Sequence, residues 1–202
     1  MMTNSNSNLS RTSERTKSMV RVAVMAGIAF VLMFIDFPLL FVAPSFMKLD
    51  LSDVPGLIAG FAMGPAYGVM VQFIKVLLNL SKSITGGVGE LSNFIVGSSL
   101  VLVSSFIYHK NKTIKSAGIG LFFGVIVMTA IAMASNYFIV FPLYAKIMIP
   151  METLVAMGSA ITPKINSLET MMIYSVLPFN LLKGTISSIA TLVLYKRVRR
   201  FF

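Results

Sequence analysis

The sequence predicts an all-α integral membrane protein with six transmembrane helices and both termini in the cytoplasm. Three observations lead to this fold class. Hydrophobic residues make up 56% of the 202-residue chain and charged residues only 12%, roughly half the charged share of ordinary soluble domains. The apolar residues are gathered into runs long enough to cross a bilayer. Basic residues are concentrated at the ends of these runs, as the positive-inside rule describes.

The chain is predicted to form one membrane domain that follows a short polar tail. Residues 1–18 are rich in Asn, Ser and Thr and are expected to be flexible, whereas residues 19–202 form the helical domain. A bilayer-spanning helix needs about 20 mostly apolar residues. The candidate runs are Val22 to about Leu40, Val54–Leu80, Leu91–Tyr108, Ala117–Tyr144 and Thr170–Tyr195.

The Val54–Leu80 run decides the number of crossings. Gly64 and Pro65 interrupt this run, and proline both removes a backbone donor and disfavours helical geometry in the residue before it. Two helices that turn at this point give six crossings and place three basic clusters on one face, which the orientation rule assigns to the cytoplasm. The clusters are Arg11, Arg15, Lys17 and Arg21; Lys110, Lys112 and Lys115; and Lys196, Arg197, Arg199 and Arg200. The chain is therefore predicted to be a multi-pass protein of the cell membrane.

The first helix of this pair is short for a transmembrane helix. From about Leu51 to Met63 it would rise only about 20 Å at 1.5 Å per residue, less than the roughly 30 Å hydrocarbon core. Residues 36–50 are therefore expected to dip into the outer leaflet or to fold over the protein. Non-helical backbone at that depth is tolerated only against protein or a wet cavity, which predicts an outward-facing pocket covered by a lid.

The composition excludes several classes of function. The net charge of +10 is typical of nucleic-acid binding, but the basic residues lie where membrane orientation requires them, so no nucleic-acid partner is expected. With no Cys and one His, a thiol nucleophile and a two-His metal site are excluded. No catalytic residue, metal or cofactor is predicted, and the chain is not expected to be an enzyme. Six helices without an inverted repeat are few for a self-contained transporter, which favours a binding module.

Two carboxylates precede the second predicted helix. Ser52 or Asp53 can accept the free N–H groups of its first turn, and helix capping is the favoured interpretation of Asp53. Asp50 is expected to hold the preceding loop through Lys48 or Lys75.

A glycine-rich turn, residues 86–89, precedes the next helix. It lacks the Lys-Ser/Thr pair of a nucleotide phosphate loop. Glu90 and Asn93 follow it three residues apart and so share a helical face. Either Glu90 caps its helix and Asn93 bonds a neighbouring helix, or both face an outer cavity.

Three polar residues interrupt the last apolar runs. Asn136 lies in the fifth predicted span, and Asn180 and Lys183 lie near the middle of the sixth. A lysine at that depth costs at least about 2.5–3.5 kcal/mol by insertion scales, so it should face the protein interior. An ionisable residue inside a membrane indicates a functional site by default. The alternative is a structural lysine paired with Glu90 or Glu169.

On the first helix, Ala23 and Gly27 are four residues apart and form a small-residue seam that lets another helix approach closely. The partner of this seam is either another helix of this chain or a second subunit.

At these positions the sequence resembles the riboflavin-specific substrate-binding (S) component of energy-coupling factor (ECF) transporters. The resemblance covers about residues 18–195 in order. Its motifs are Lys48-Leu49-Asp50-Leu51-Ser52-Asp53-Val54-Pro55, Gly64-Pro65 with Gly68, Gly87-Val88-Gly89-Glu90-Leu91-Ser92-Asn93, Asn136-Tyr137 with Pro142-Leu143-Tyr144, and Pro178-Phe179-Asn180-Leu181-Leu182-Lys183-Gly184. The family implies six helices, an outward-facing vitamin pocket, and a partner module of one transmembrane subunit with two ATPase subunits.

The resemblance implies that the chain captures riboflavin from outside for ATP-driven uptake by its partners. Riboflavin is then the transported ligand, and no cofactor is needed. The implied pocket contains Glu90, Asn93, Asn136, Tyr137, Asn180 and Lys183, and the implied lid loop contains Phe37, Phe41, Phe46 and Asp50. The partner seam of the family resembles Ala-x-x-x-Ala, where this chain has Ala23 and Gly27. The alternatives are an S component for another vitamin and a self-sufficient carrier of a small solute.

Overall fold

The computed structural model describes residues 3–198, with side chains described at residues 14–195 and at Arg197. Of the predicted cytoplasmic clusters, Arg199, Arg200 and the side chains of Arg11 and Lys196 lie outside the described residues. The described chain is mostly helical and contains one two-stranded ribbon. Its elements are α1 Thr3–Leu32, β1 Phe37–Pro38, β2 Lys48–Leu49, α2 Asp53–Met63, α3 Pro65–Leu80, α4 Val88–Asn111, α5 Ile114–Ser135, α6 Phe141–Ile147, α7 Met151–Ser159, α8 Leu168–Met171 and α9 Leu177–Val198, with π-helical segments at Asn136–Val140 and Met172–Val176.

Within the described residues, three continuous helical stretches are long and apolar enough to cross a bilayer. They are Val88–Asn111, Ile114–Ile147, which joins α5 to α6, and Leu168–Tyr195, which joins α8 to α9. Helices α2 and α3 are apolar but shorter. The predicted class of an all-α integral membrane protein agrees with this architecture.

The break predicted at Gly64-Pro65 is present. Helix α2 ends at Met63 and α3 begins at Pro65. Gly64 has a φ of 123°, a conformation that is open to glycine and strained for residues with a Cβ. Pro65 suits the first turn of α3, where its missing N–H is not needed.

Helix α1 begins at Thr3, within the polar segment, and it ends earlier than predicted. It ends at Leu32 rather than near Leu40, because Pro38 and the ribbon that starts at Phe37 exclude helical backbone.

Helix α2 occupies the centre of the fold. Every residue from Asp53 to Phe61 is buried, and the helix contacts α1, α3, α4 and α9. Because protein rather than lipid surrounds it, its 11-residue length does not expose unpaired backbone groups to hydrocarbon.

The two π-helical segments occur in equivalent sequence settings. Each ends two residues before a proline, Pro142 in one stretch and Pro178 in the other. In both, the residue just before the proline donates its N–H to the carbonyl five residues back. A proline ring clashes with the carbonyl four residues back in a regular α-helix, and the wider π turn relieves this clash. Asn136 and Val140 of the first segment line the cavity described next.

Candidate functional site

A cavity of about 110 Å³, here called the inner cavity, lies where residues 36–50 cover α4, α6 and α9. Its lining joins residues from four separate parts of the chain. Five of the predicted residues line it: Phe46, Asn93, Asn136, Asn180 and Lys183. The structure therefore brings together the predicted polar residues of the fourth, fifth and sixth apolar runs.

A larger cavity of about 610 Å³, here called the outer cavity, adjoins it. The two share Phe46, Lys48, Gly89, Asn93 and Tyr144 as common lining. Of the other predicted residues, Glu90 and Asp50 line the outer cavity.

Asn136 and Asn180 have a defined orientation in the inner cavity. The Asn136 Nδ2 group donates to the Ala132 carbonyl at 2.7 Å, and the Asn180 Nδ2 group donates to the Val176 carbonyl at 2.8 Å. Only the amide nitrogen can donate to a carbonyl, so these bonds use the Nδ2 end of each side chain. Each residue therefore has its Oδ1 atom free to accept a hydrogen bond.

The buried ammonium of Lys183 is paired with two carboxylates. Its Nζ atom donates to Asp50 Oδ2 at 3.1 Å and lies 3.8 Å from Asp53 Oδ2. The prediction that Lys183 faces the protein interior is confirmed, but the alternative partners Glu90 and Glu169 were wrong. The local pattern could not identify Asp50, which lies 133 residues away in the sequence.

The interpretation of Asp53 as a helix cap is also wrong. Its Oδ1 atom accepts a hydrogen bond from Lys75 Nζ at 2.6 Å, and Lys75 also donates to Ser52 Oγ at 2.8 Å. Ser52 is the N-cap residue of α2 and makes no side-chain capping bond. The carboxylate is thus one member of a buried four-charge cluster that consists of Asp50, Asp53, Lys75 and Lys183.

Asp50 joins this cluster to the loop that covers the cavity. Its Oδ1 atom accepts the Ser52 backbone N–H at 2.7 Å, while its Oδ2 atom binds Lys183 rather than Lys48 or Lys75. Burial raises the pKa of the Asp50 carboxyl, but the nearby ammonium groups of Lys183 and Lys75 and the bonds from Ser52 outweigh it. The net pKa is below its usual value, so Asp50 is ionised at neutral pH.

The loop over the cavities has its own ion pair and aromatic contact. Strands β1 and β2 pair Phe37 with Leu49, and Lys48 Nζ lies 2.9 Å from Asp36 Oδ2. Phe46 packs against the rings of Phe141 and Tyr144, with centroids 6.0 and 5.6 Å away.

Phe37 and Phe41, the other predicted lid aromatics, are 59% and 75% exposed and line neither cavity. Phe46 is therefore the predicted aromatic residue that the loop places against the site.

Glu90 organises the turn between α3 and α4. Its carboxylate accepts hydrogen bonds from Asn79 Nδ2 at 3.0 Å, Ser83 Oγ at 2.7 Å and Thr85 Oγ1 at 2.9 Å. It lines the outer cavity, but its hydrogen-bonding capacity is largely used within the chain. Asn93, one turn further along, has a buried Oδ1 atom without a hydrogen-bond partner.

Tyr137 is not brought to either cavity. It lines neither of them, and its hydroxyl instead donates to Glu169 Oε1 at 3.1 Å.

The small-residue seam on α1 is not packed within the chain. Ala23 is exposed, and a Cβ atom built on Gly27 would meet nothing within 4 Å. Packing of this seam against another helix of the same chain is therefore not observed among the described residues, since none of them covers Gly27.

Several lining residues were not predicted as site residues. Asp53, Tyr144 and Phe179 line the inner cavity. The signal for Asp53 was present, since an acid and Lys75 occur on adjacent apolar helices and must pair to be buried. Tyr144 and Phe179 gave no such signal, because aromatic residues in apolar runs are more often core or lipid-facing.

Comparisons with known proteins give a consistent result. Residues 17–195 match the family described as ECF transporter, substrate-specific component. The chain is 35% identical to "Riboflavin transporter RibU" of Staphylococcus aureus (strain TCH60) over 93% of each chain, and 30% identical to "Riboflavin transporter FmnP" of Bacillus subtilis (strain 168) over 92% of this chain and 93% of that one. A solved structure described as "Structure and mechanism of the S component of a bacterial ECF transporter" matches with a TM-score of 0.74 and 35% identity, covering 93% of this chain and 98% of that one.

Proposed function

The chain belongs to the family of substrate-specific components of ECF transporters, and from this premise we propose that it is a riboflavin-binding subunit that captures the vitamin for ATP-driven import. Two relatives that match most of its length bear the name of riboflavin transporters. Those names describe transporters and not enzymes, in agreement with the prediction from composition.

The single observation that carries the choice of ligand is the chemistry of the inner cavity. Its lining combines the aromatic rings of Phe46, Phe141 and Tyr144 with the free acceptors of Asn136 and Asn180. Riboflavin has a flat ring that suits the aromatic side and a ribityl chain rich in hydroxyl donors. Mostly apolar pockets with a few placed polar groups are typical of small-molecule sites.

The proposed roles follow from position. Asn93, Asn136, Asn180 and Lys183 bind the vitamin, and Glu90 holds the α3–α4 turn at the entrance. Tyr137 is left out of the proposed contacts, since its hydroxyl is bonded to Glu169 away from both cavities. No cofactor is assigned, because capture requires no chemical step.

The loop of residues 36–50 is proposed to act as the lid. Phe46 would open and close the inner cavity by leaving and regaining its contacts with Phe141 and Tyr144. Asp50 would tie the end of this loop to Lys183, a residue that also lines the cavity.

The proposed topology is six crossings of the cell membrane with both termini in the cytoplasm. The break at Gly64-Pro65 supports it, because α2 and α3 then cross separately in addition to α1 and the three long stretches. The basic clusters support the same orientation under the positive-inside rule. The inner and outer cavities then open to the exterior.

The proposed partners are one ECF transmembrane subunit and two ATPase subunits. Ala23 and Gly27 are the proposed contact, because small residues let a second helix approach closely and this seam is free within the chain. ATP hydrolysis by the partners would drive the inward release of riboflavin.

The test begins with the purified full chain in detergent. Ligand-free protein is titrated with riboflavin by the quenching of flavin fluorescence, and thiamine, biotin and folate serve as competitors. We expect riboflavin to saturate one site per chain and the other vitamins to leave it unaffected. Saturation by a different vitamin instead would identify an S component of another specificity.

A second measurement addresses the need for partners. The chain alone in empty liposomes is expected to bind riboflavin without accumulating it inside. Uptake by the chain alone would contradict the proposal and would identify a self-sufficient carrier.

A further inference from the structure

Asp53 contributes an acid to the inner cavity, the only acidic side chain in its lining among the described residues. The residue is 1% exposed, yet its two oxygens have different surroundings. Oδ1 accepts the short bond from Lys75 at 2.6 Å. Oδ2 has no hydrogen-bond partner, and the Lys183 ammonium lies 3.8 Å from it, beyond hydrogen-bonding distance.

An ionised oxygen left in this state is unusual. Buried polar groups in native proteins are almost always hydrogen-bonded, and a buried charged acceptor without a bond is especially costly. The second oxygen of Asp53 is therefore an acceptor available to a molecule that enters the cavity.

The surrounding residues hold this carboxylate in place. Lys75 binds both Asp53 and Ser52, so the orientation of Oδ1 is set from the α3 side. On the α4 side, a Cβ atom at Gly97 would lie 2.6 Å from Asp53 Oδ1. The absence of a side chain at Gly97 thus provides the space that the Asp53 carboxylate occupies. The position of the carboxylate is therefore set before a ligand binds.

We infer that Asp53 is a ligand-binding residue whose Oδ2 atom accepts a hydrogen bond from the bound flavin. This inference rests on the proposed function. A flavin with a ribityl chain offers two kinds of donor, the chain hydroxyls and the N–H group at position 3 of the ring. Together with Asn136 and Asn180, Asp53 makes the inner cavity rich in acceptors, which selects for ligands that carry several O–H or N–H groups.

The test is a cycle of protein and ligand changes. The affinities of the native chain and of the Asp53→Asn variant are measured for riboflavin, for 3-methylriboflavin, which lacks the ring N–H, and for lumiflavin, which lacks the ribityl chain. We expect the variant to bind riboflavin at least tenfold more weakly. For the analogue that lacks the contacted donor, the ratio of native affinity to variant affinity should fall toward one. This follows because such a cycle isolates the pairwise interaction.

Each outcome of the cycle has a meaning. If the ratio falls to about one only for 3-methylriboflavin, the donor to Asp53 is the ring N–H. If it falls to about one only for lumiflavin, the donor is a ribityl hydroxyl. The same fold-loss for all three ligands would overturn the inference, because Asp53 would then act only through its lysine neighbours. If the native chain does not bind riboflavin at all, it is the proposed function that fails.

Asp50→Asn is the matched control. It removes the same charge from the same buried cluster while it leaves Asp53 in place, and Asp50 does not line the inner cavity. Its fold-loss should be equal for the three ligands. A ligand-dependent loss in this control would contradict the assignment to Asp53.

A second measurement does not depend on the folding of the Asp53 variant. The chain contains three aspartates, so the Asp36→Asn, Asp50→Asn double variant retains Asp53 alone. With carboxyl-labelled aspartate in this protein, infrared difference spectra on addition of riboflavin should show a shifted carboxylate band. An unchanged band at saturating riboflavin would overturn the inference.

Discussion

Replacing Lys183 by methionine is expected to destabilise the fold as well as to weaken ligand binding. The buried cluster holds two carboxylates, Asp50 and Asp53, and two ammonium groups, Lys75 and Lys183. Its formal charge is therefore zero in the native chain and −1 in the variant. Methionine keeps most of the side-chain volume, so the effect reports the charge rather than a void.

The size of the effect follows from the burial of the pair. Removing one partner of a buried ion pair costs about 3–5 kcal/mol, because the other charge is left uncompensated. Adding Asp50→Asn to Lys183→Met returns the cluster to zero charge, with Lys75 still bonded to Asp53. The double variant is therefore expected to regain most of the lost stability, whereas riboflavin binding stays weak because the ammonium is gone.

The assay is thermal unfolding of the ligand-free chain in detergent, combined with riboflavin titration of each variant. The surface pair of Lys48 and Asp36 is the matched control, since their side chains are 42% and 31% exposed. Breaking it by Lys48→Met should cost only about 0–1 kcal/mol. Additive losses of stability in the Lys183→Met, Asp50→Asn double variant would show instead that the two charges do not compensate each other.

Two further predictions concern the cavity and the α1 seam. Asn136→Ala and Asn180→Ala should each weaken riboflavin binding about tenfold, or about 1.4 kcal/mol, in a fluorescence titration, because each removes an acceptor from the cavity. Tyr137→Phe should change the affinity less than twofold, and an equal loss in all three variants would contradict the geometry. Gly27→Leu should leave riboflavin affinity unchanged and abolish uptake when the partner subunits are present, since the larger side chain blocks close helix approach at Ala23 and Gly27. Normal uptake by this variant would reject the seam as the partner contact.

Much of the fold could be predicted because its signals are local. The apolar runs, the Gly64-Pro65 break and the placement of Asn136 in one apolar run and of Asn180 and Lys183 in another are properties of short segments. The family resemblance read from the motifs is confirmed by the match over residues 17–195. The end of α1 at Leu32 was missed, because apolar residues continue past it and hydropathy does not distinguish a helix from the covering loop.

The site was predicted less completely, for a physical reason. An ammonium in an apolar segment requires an anion, but Coulomb attraction does not distinguish one carboxylate from another, so the sequence alone left Glu90 and Glu169 as candidates. Asp50 and Asp53 are the partners because the start of α2 and the residues just before it lie against the second turn of α9. Tyr137 was grouped with Asn136 because the two residues belong to one motif, whereas in the structure its hydroxyl is bonded to Glu169 and it lines neither cavity.

The helical membrane class, the break between α2 and α3 and the burial of Asn136, Asn180 and Lys183 could be inferred from the sequence alone. These conclusions depend on desolvation and backbone geometry, which act within one segment. The pairing of the buried charges, the free amide oxygens of Asn136 and Asn180 and the free oxygen of Asp53 become visible only when the helices are packed together. Those properties depend on distances of a few ångströms between segments far apart in the chain, and no local pattern specifies them.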